Sequence, residues 1–207
     1  MTAWLWIGGW GFSKEEIQNL VNEQVPGVQH FVICPGPEWL DELHRVVATQ
    51  PIRRLLGYSL GSFLILRDLE KLPDIPTVLF SPIVSFKAEE NLGGRFDGRR
   101  LKVLVRWLQR DPRAALSDFR KQVGIPPMDS DMELPCSVEQ LVWGIKQLDD
   151  EPVEVPAETA DISMIIGEQD AVTDARFIEN QWAKTKVVTG VGHDLRDLVK
   201  EVACVAV

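Results

Sequence analysis

Over the first 82 residues, short apolar runs alternate with amphipathic segments, and few architectures accept that alternation. The run Ala3–Ile7 is apolar at consecutive positions, too short for a helix, and followed by Gly8-Gly9. Such a run reads as a strand buried on both faces. Ser13, with Glu16 three positions on, gives the capping-box pattern that opens a helix over 13–24. Ile17, Leu20 and Val21 share one face of it, and Pro26-Gly27 closes it. A second strand is expected over 28–34, ended by Pro35-Gly36-Pro37. A helix over 38–50 follows, with Leu40, Leu43, Val46 and Val47 at helical spacing and Pro51 as its stop. A third strand over 53–58, a helix over 62–72 and a fourth strand over 77–81 complete the series. Strand and helix in strict alternation, with short links, predict a parallel sheet carrying helices on both faces.

From residue 83 the pattern changes, and helical segments follow one another over 99–110, 112–124 and 137–148. The second opens on Asp111-Pro112, a cap with proline at the first helical position. Strands resume at 162–166 and 186–189, with a helix over 176–183 between them and an amphipathic helix from 194 to the end. The expected organisation is a core formed by 1–82 and 157–207, interrupted by a helical insertion over 83–156.

Composition narrows the function classes. A chain of 207 residues with 45% hydrophobic and 26% charged content is that of one soluble globular domain. A net charge of -9 argues against a general nucleic-acid or anionic-membrane binder. No stretch approaches the roughly 20 apolar residues of a membrane span. The N-terminus lacks a basic stretch and a small-residue cleavage site, so no signal peptide is read and a cytoplasmic location is expected. Cys34, Cys136 and Cys204 lie far apart without metal-ligand spacing, as suits free thiols in a reducing compartment. A monomer is expected, with no metal or cofactor.

The chemistry-bearing stretch is Gly57-Tyr58-Ser59-Leu60-Gly61, at the junction of the third strand and the next helix. A serine on such a sharp turn is held out above the sheet. A serine nucleophile needs a base, a group that orients the base, and donors for the oxyanion. His193 is the candidate base, because it alone of three histidines sits in a glycine-flanked loop after a strand. Asp170 is the candidate orienting acid. Glu168 and Asp174 are its neighbours and rivals, Asp174 being better placed as a helix N-cap. The candidate oxyanion donors are the backbone amides of Leu60, directly after the serine, and Trp10, in the glycine-rich loop after the first strand.

Together, Gly8-Gly9-Trp10-Gly11, the Ser59 turn, Gly167 with Asp170, and Gly192-His193-Asp194 resemble the α/β-hydrolase fold family over the whole chain. Within it, the Trp10 loop, the Ser-Leu-Gly turn and the helical insertion are most similar to the esterases that cleave the methyl ester of pimeloyl-acyl carrier protein in biotin synthesis. The stretch Val105-Arg106-Trp107-Leu108 resembles the lid of that group. The resemblance implies Ser59, Asp170 and His193 as a catalytic triad, and Trp10 and Leu60 as the oxyanion hole. It implies a serine carboxylesterase, with a broad short-chain carboxylesterase or thioesterase, or a catalytically silent binding protein, as alternatives. The family usually begins with two further strands and carries His-Gly where this chain has Gly8-Gly9. About six strands are therefore expected, in the order 2-1-3-4-5-6.

Charge marks the insertion. Residues 93–124 hold nine basic and three acidic side chains, whereas the remainder holds 13 basic and 28 acidic ones. At about 100° per residue, Arg99, Lys102, Arg106 and Arg110 form one stripe, opposite Leu101, Leu104, Val105 and Leu108. An outward basic stripe suits an acidic partner, of which an acyl carrier protein is one kind; a free small anion is the plainer alternative. Trp107, Phe96, Phe119 and Trp143 are candidates for an apolar acyl pocket.

Overall fold

A computed structural model of the chain describes residues 2–128, 132–153 and 161–204. Its centre is β1 (Ala3–Ile7), whose five residues are all buried. It has β2 (Gln29–Ile33) on one side and β3 (Ile52–Tyr58) on the other. The sheet continues through β4 (Thr77–Phe80), β5 (Ile162–Gly167) and β6 (Thr185–Val188). All pairs are parallel and the spatial order is β2-β1-β3-β4-β5-β6, as expected. The uninterrupted apolar sequence of β1 follows from its place, since helices cover both faces of such a sheet. Trp6 lies in that strand, and its indole Nε1 donates to His30 Nδ1 at 3.0 Å. The other ring nitrogen of His30 then donates to the carbonyl of Val25, 3.0 Å away. Burial lowers the pKa of His30 and favours this neutral form. The histidine of β2 is thus a core residue.

The helices that cover the sheet are α1 (Lys14–Gln24), α2 (Trp39–Thr49), α3 (Leu60–Arg67), α7 (Ala175–Gln181) and α8 (Leu195–Leu198). The capping box is formed: Ser13 Oγ accepts from the Glu16 amide at 3.1 Å, and the Glu16 carboxylate accepts from the Ser13 amide at 2.9 Å. Two helices are shorter than their periodicity suggests. α3 stops at Arg67, because the buried Asp68 at its end gathers both Arg67 and Lys71, and Leu69–Lys71 forms a 3₁₀ turn. The expected final helix is only α8, continued by a 3₁₀ segment at Val199–Cys204; residues 205–207 lie outside the described ones. Other element ends shift by a residue or two.

Between β4 and β5 the described residues carry α4 (Gly98–Arg110), α5 (Pro112–Gln122) and α6 (Val138–Asp149). Asp97 caps α4, Asp111 caps α5 with Pro112 in its first turn, and Ser137 caps α6. α4 packs on α5 and on α6, and α6 packs on α3, directly behind the serine turn. The boundary expected at 156–157 lies outside the described residues. Among the described residues no helix is long and apolar enough to cross a membrane.

Candidate active site

Ser59 joins the C-terminal end of β3 to α3 with φ 52° and ψ -114°, a conformation that costs a non-glycine residue about 1–3 kcal/mol. Close packing enforces the turn. A Cβ on Gly61 would lie 2.1 Å from the carbonyl oxygen of Ile7, and one on Gly57 would lie 2.9 Å from Cα of Ser62. The Ser59 side chain makes no capping bond to its own helix. Its Oγ instead lies 3.0 Å from His193 Nε2. His193 Nδ1 donates to Asp170 Oδ2 at 2.8 Å. The sequence separations are 134 and 23 residues, so the fold alone brings these three groups into one line. Ser59 is half-buried, whereas His193 is 2% exposed and Asp170 fully buried.

Asp170 is held for this task. Its Oδ1 accepts from the amides of Val172 and Thr173 at 2.8 and 3.0 Å. Burial opposes its ionisation, but the charge and hydrogen bond of His193, the Thr173 amide and Ser81 outweigh it, and its pKa falls below the ordinary value. The rivals are committed elsewhere. Asp174 caps α7, accepting from the amides of Arg176 and Phe177, and Glu168 accepts from the amide of Gly190.

Neither the Leu60 amide, at the first position of α3, nor the Trp10 amide has a hydrogen-bond partner among the described residues. An oxyanion hole requires free donors of this kind. The Trp10 side chain is fixed: its Nε1 donates to the carbonyl of Leu141 in α6 at 2.8 Å. Its ring meets Phe119 edge-on at 4.8 Å. Gly144 of α6 leaves the space for it, since a Cβ there would stand 2.5 Å from Trp10 Cδ1.

Three supporting residues escaped sequence reasoning. The Tyr58 hydroxyl, wholly buried, donates to the carbonyl of His193 at 3.0 Å. Arg95 Nη1 donates to the carbonyl of Asp170 at 2.8 Å, and its Nη2 faces Asp174 at 3.4 Å. Arg120, only 4% exposed, pairs with Glu16 at 3.0 Å and lies over the Phe12 ring at 4.8 Å. A local signal existed for Arg120 alone: it shares the apolar face of α5 with Ala115, Leu116 and Phe119.

No family model matches the chain, and no curated protein matches it in sequence. Solved structures do. An alpha/beta hydrolase enzyme from a deep-sea metagenome library is 9% identical with a TM-score of 0.60, over 97% of this chain and 87% of that one. An esterase from a Rhodococcus species is 17% identical with a TM-score of 0.65, over 99% and 90%. BioG from Haemophilus influenzae is 12% identical with a TM-score of 0.53, over 99% and 94%. The chain has the α/β-hydrolase fold. In an α/β-hydrolase sheet, sites form beyond the carboxyl ends of the strands. Here β3 supplies Ser59 at that end, the turn after β5 supplies Asp170, and the loop after β6 supplies His193.

A cavity of about 540 Å³ reaches the candidate site only at Ala171, next to Asp170; Ser59 and His193 do not line it. Its walls include Phe96, Leu104, Trp107 and Phe119, with Arg95, Arg100, Asp118 and Gln122 as polar lining. Three of the four expected pocket aromatics therefore meet around one space. Trp143, half-buried on α6, does not line it. Arg99, Lys102, Arg106 and Arg110 are all exposed, and Leu101 and Leu108 are buried behind them. Beside the stripe, a groove of about 320 Å³ between α4 and α6 has Leu101, Val105 and Ile145 as its floor. Lys102, Arg106 and Lys146 stand at its rim, with Asp149 as the one acid.

Proposed function

We propose that the chain is a serine carboxylesterase, and that its substrate is the methyl ester of pimeloyl-acyl carrier protein, in biotin synthesis. The observation that carries the esterase reading is the continuous line Ser59–His193–Asp170, with contacts of 3.0 and 2.8 Å. Ser59 Oγ attacks the ester carbonyl while His193 Nε2 takes its proton. The Trp10 and Leu60 amides receive the oxyanion. His193, oriented by Asp170, returns the proton to the departing alcohol. Water activated by the same imidazole then hydrolyses the acyl-enzyme. The substrate assignment rests on the sequence resemblance to the pimeloyl esterases and on the charge of the α4 face. An acidic carrier domain presenting an acyl arm suits the exposed cations, and the aromatic cavity beside Asp170 suits an acyl chain. Reaction with a fluorophosphonate probe tests the mechanism. Labelling at Ser59, lost in Ser59→Ala together with hydrolysis of p-nitrophenyl butyrate, is expected. An unlabelled wild type would instead indicate a silent binding protein. Growth without biotin of cells that lack the methyl esterase, once supplied with this chain, tests the substrate.

A further inference from the structure

Ser81 follows β4 in the middle of the sheet, between the strand that ends at Ser59 and the strand that leads to Asp170. It has φ 44°, and only Ser59 and Asn91 among the other described non-glycine residues share a positive φ. Glycine would adopt this conformation freely, so the serine side chain is kept there against a steric cost. The residue is fully buried. Its main chain is fixed: the amide donates to the carbonyl of Ile165 at 2.8 Å, and its carbonyl accepts from Ser62 Oγ at 3.4 Å. Its hydroxyl closes no hydrogen bond of good geometry among the described residues. It is nonetheless one of the groups that lower the pKa of Asp170, coming after His193 and the Thr173 amide. A carboxylate offers about four acceptor sites. Three are filled at Asp170, by the amides of Val172 and Thr173 on Oδ1 and by His193 on Oδ2.

We propose that Ser81 is a positioning residue whose hydroxyl donates to the remaining acceptor site on Asp170 Oδ2, moderating the hold of the carboxylate on the imidazolium formed during catalysis. The inference rests on the serine-hydrolase reading of Ser59, Asp170 and His193. Without the Ser81 donor, the buried carboxylate would carry its charge less spread and would favour a protonated His193 more strongly. The other groups facing His193 do not involve Ser81. They are Ser59, the Tyr58 hydroxyl on the His193 carbonyl, Asp194 beside it, and Arg95 behind Asp170. Asp194 itself caps α8 and faces Arg196 at 3.6 Å.

The test compares full-length wild type with Ser81→Gly, Ser81→Ala and Ser81→Cys. Two curves are read for each: the titration of the His193 imidazole protons by NMR, and the pH dependence of kcat/KM on p-nitrophenyl butyrate. Ser81→Gly removes the hydroxyl and relieves the backbone, so it folds at least as well as wild type. In the Gly and Ala variants alike, the imidazole titration and the acid limb of the rate profile move to higher pH by about half a unit or more. The weakly donating thiol of Ser81→Cys gives a smaller displacement. Curves that stay within about 0.1 unit of wild type in Ser81→Gly overturn the proposal, and so does a displacement in Gly without one in Ala, which would trace the effect to the relieved backbone rather than to the lost hydroxyl. A wild type that hydrolyses no ester counts against the esterase reading only; the NMR titration then decides the Ser81 contact alone.

Discussion

The hydroxyl of Tyr58 and the main-chain carbonyl of His193 meet at 3.0 Å, although 135 residues separate them. Tyr58 is the residue immediately before the candidate nucleophile, so one strand end fixes both the serine and the loop that carries the base. Its ring also lies 5.5 Å from the imidazole. Tyr58→Phe keeps the ring and deletes the donor, leaving a buried carbonyl unpaired. A stability loss of about 1–3 kcal/mol is expected in urea denaturation. A fall of about tenfold in kcat/KM should accompany it, as the His193 loop loosens. An unchanged rate would mean that the loop is held without the tyrosine.

Asp170 sets a second expectation, in acid. Its folded pKa lies below the ordinary carboxylate value of about 3.9. The stabilisation it brings is complete above that ordinary value and is lost as pH falls through the lower folded one. Denaturation midpoints measured downward from neutral pH should therefore drop most steeply below about pH 4. Asp170→Asn lacks this carboxylate and should show a shallower drop in that window. It should also lose about 10³–10⁴-fold in kcat, because the amide no longer holds the right imidazole tautomer.

The pair Arg120–Glu16 joins α5 to the first helix of the core, with Phe12 beneath the guanidinium. Breaking it from the arginine side leaves a half-buried carboxylate without its cation. Arg120→Met should cost about 2–3 kcal/mol, at the low end for buried pairs because Glu16 retains some contact with solvent. Glu16→Gln strands the more deeply buried charge and should cost more. A double-mutant cycle by chemical denaturation measures the coupling, and additive losses would show that the two residues act independently.

The exposed cations of α4 make a prediction about substrate rather than stability. Lys102→Glu together with Arg106→Glu should lower kcat/KM about tenfold or more on a carrier-linked ester, through slower association. Hydrolysis of p-nitrophenyl butyrate should barely change. Raising salt should erode the wild-type advantage on the carrier-linked ester in the same direction. Equal losses on both esters would remove the carrier protein from the proposal.

The fold was legible wherever local signals were redundant. Ala3–Ile7, the capping box at Ser13 and the Asp111-Pro112 start each state their element in a few adjacent residues. Legibility failed where the deciding contact was remote. The helix after Ser59 ends early because Asp68 collects two neighbouring cations, which hydrophobic spacing does not register. At the site, order along the chain pointed to Ser59, Asp170 and His193, and the fold brings these three into one line. Tyr58 and Arg95 carry no such mark, since their partners His193 and Asp170 lie on other loops. Charge counting over 93–124 treated Arg120 like its neighbours, while the fold turns it inward and leaves Arg99, Lys102, Arg106 and Arg110 on the surface.

Trp10 spends its indole on the carbonyl of Leu141 and its flank on Gly144, so α6 forms one wall of the loop expected to receive the oxyanion. The helical segment is therefore not an interchangeable module. A chimera that replaces α4–α6 with the equivalent part of another chain of this fold would have to import a matching tryptophan loop with it. Without that loop, the graft would disturb the floor beside Ser59 that it was meant only to roof.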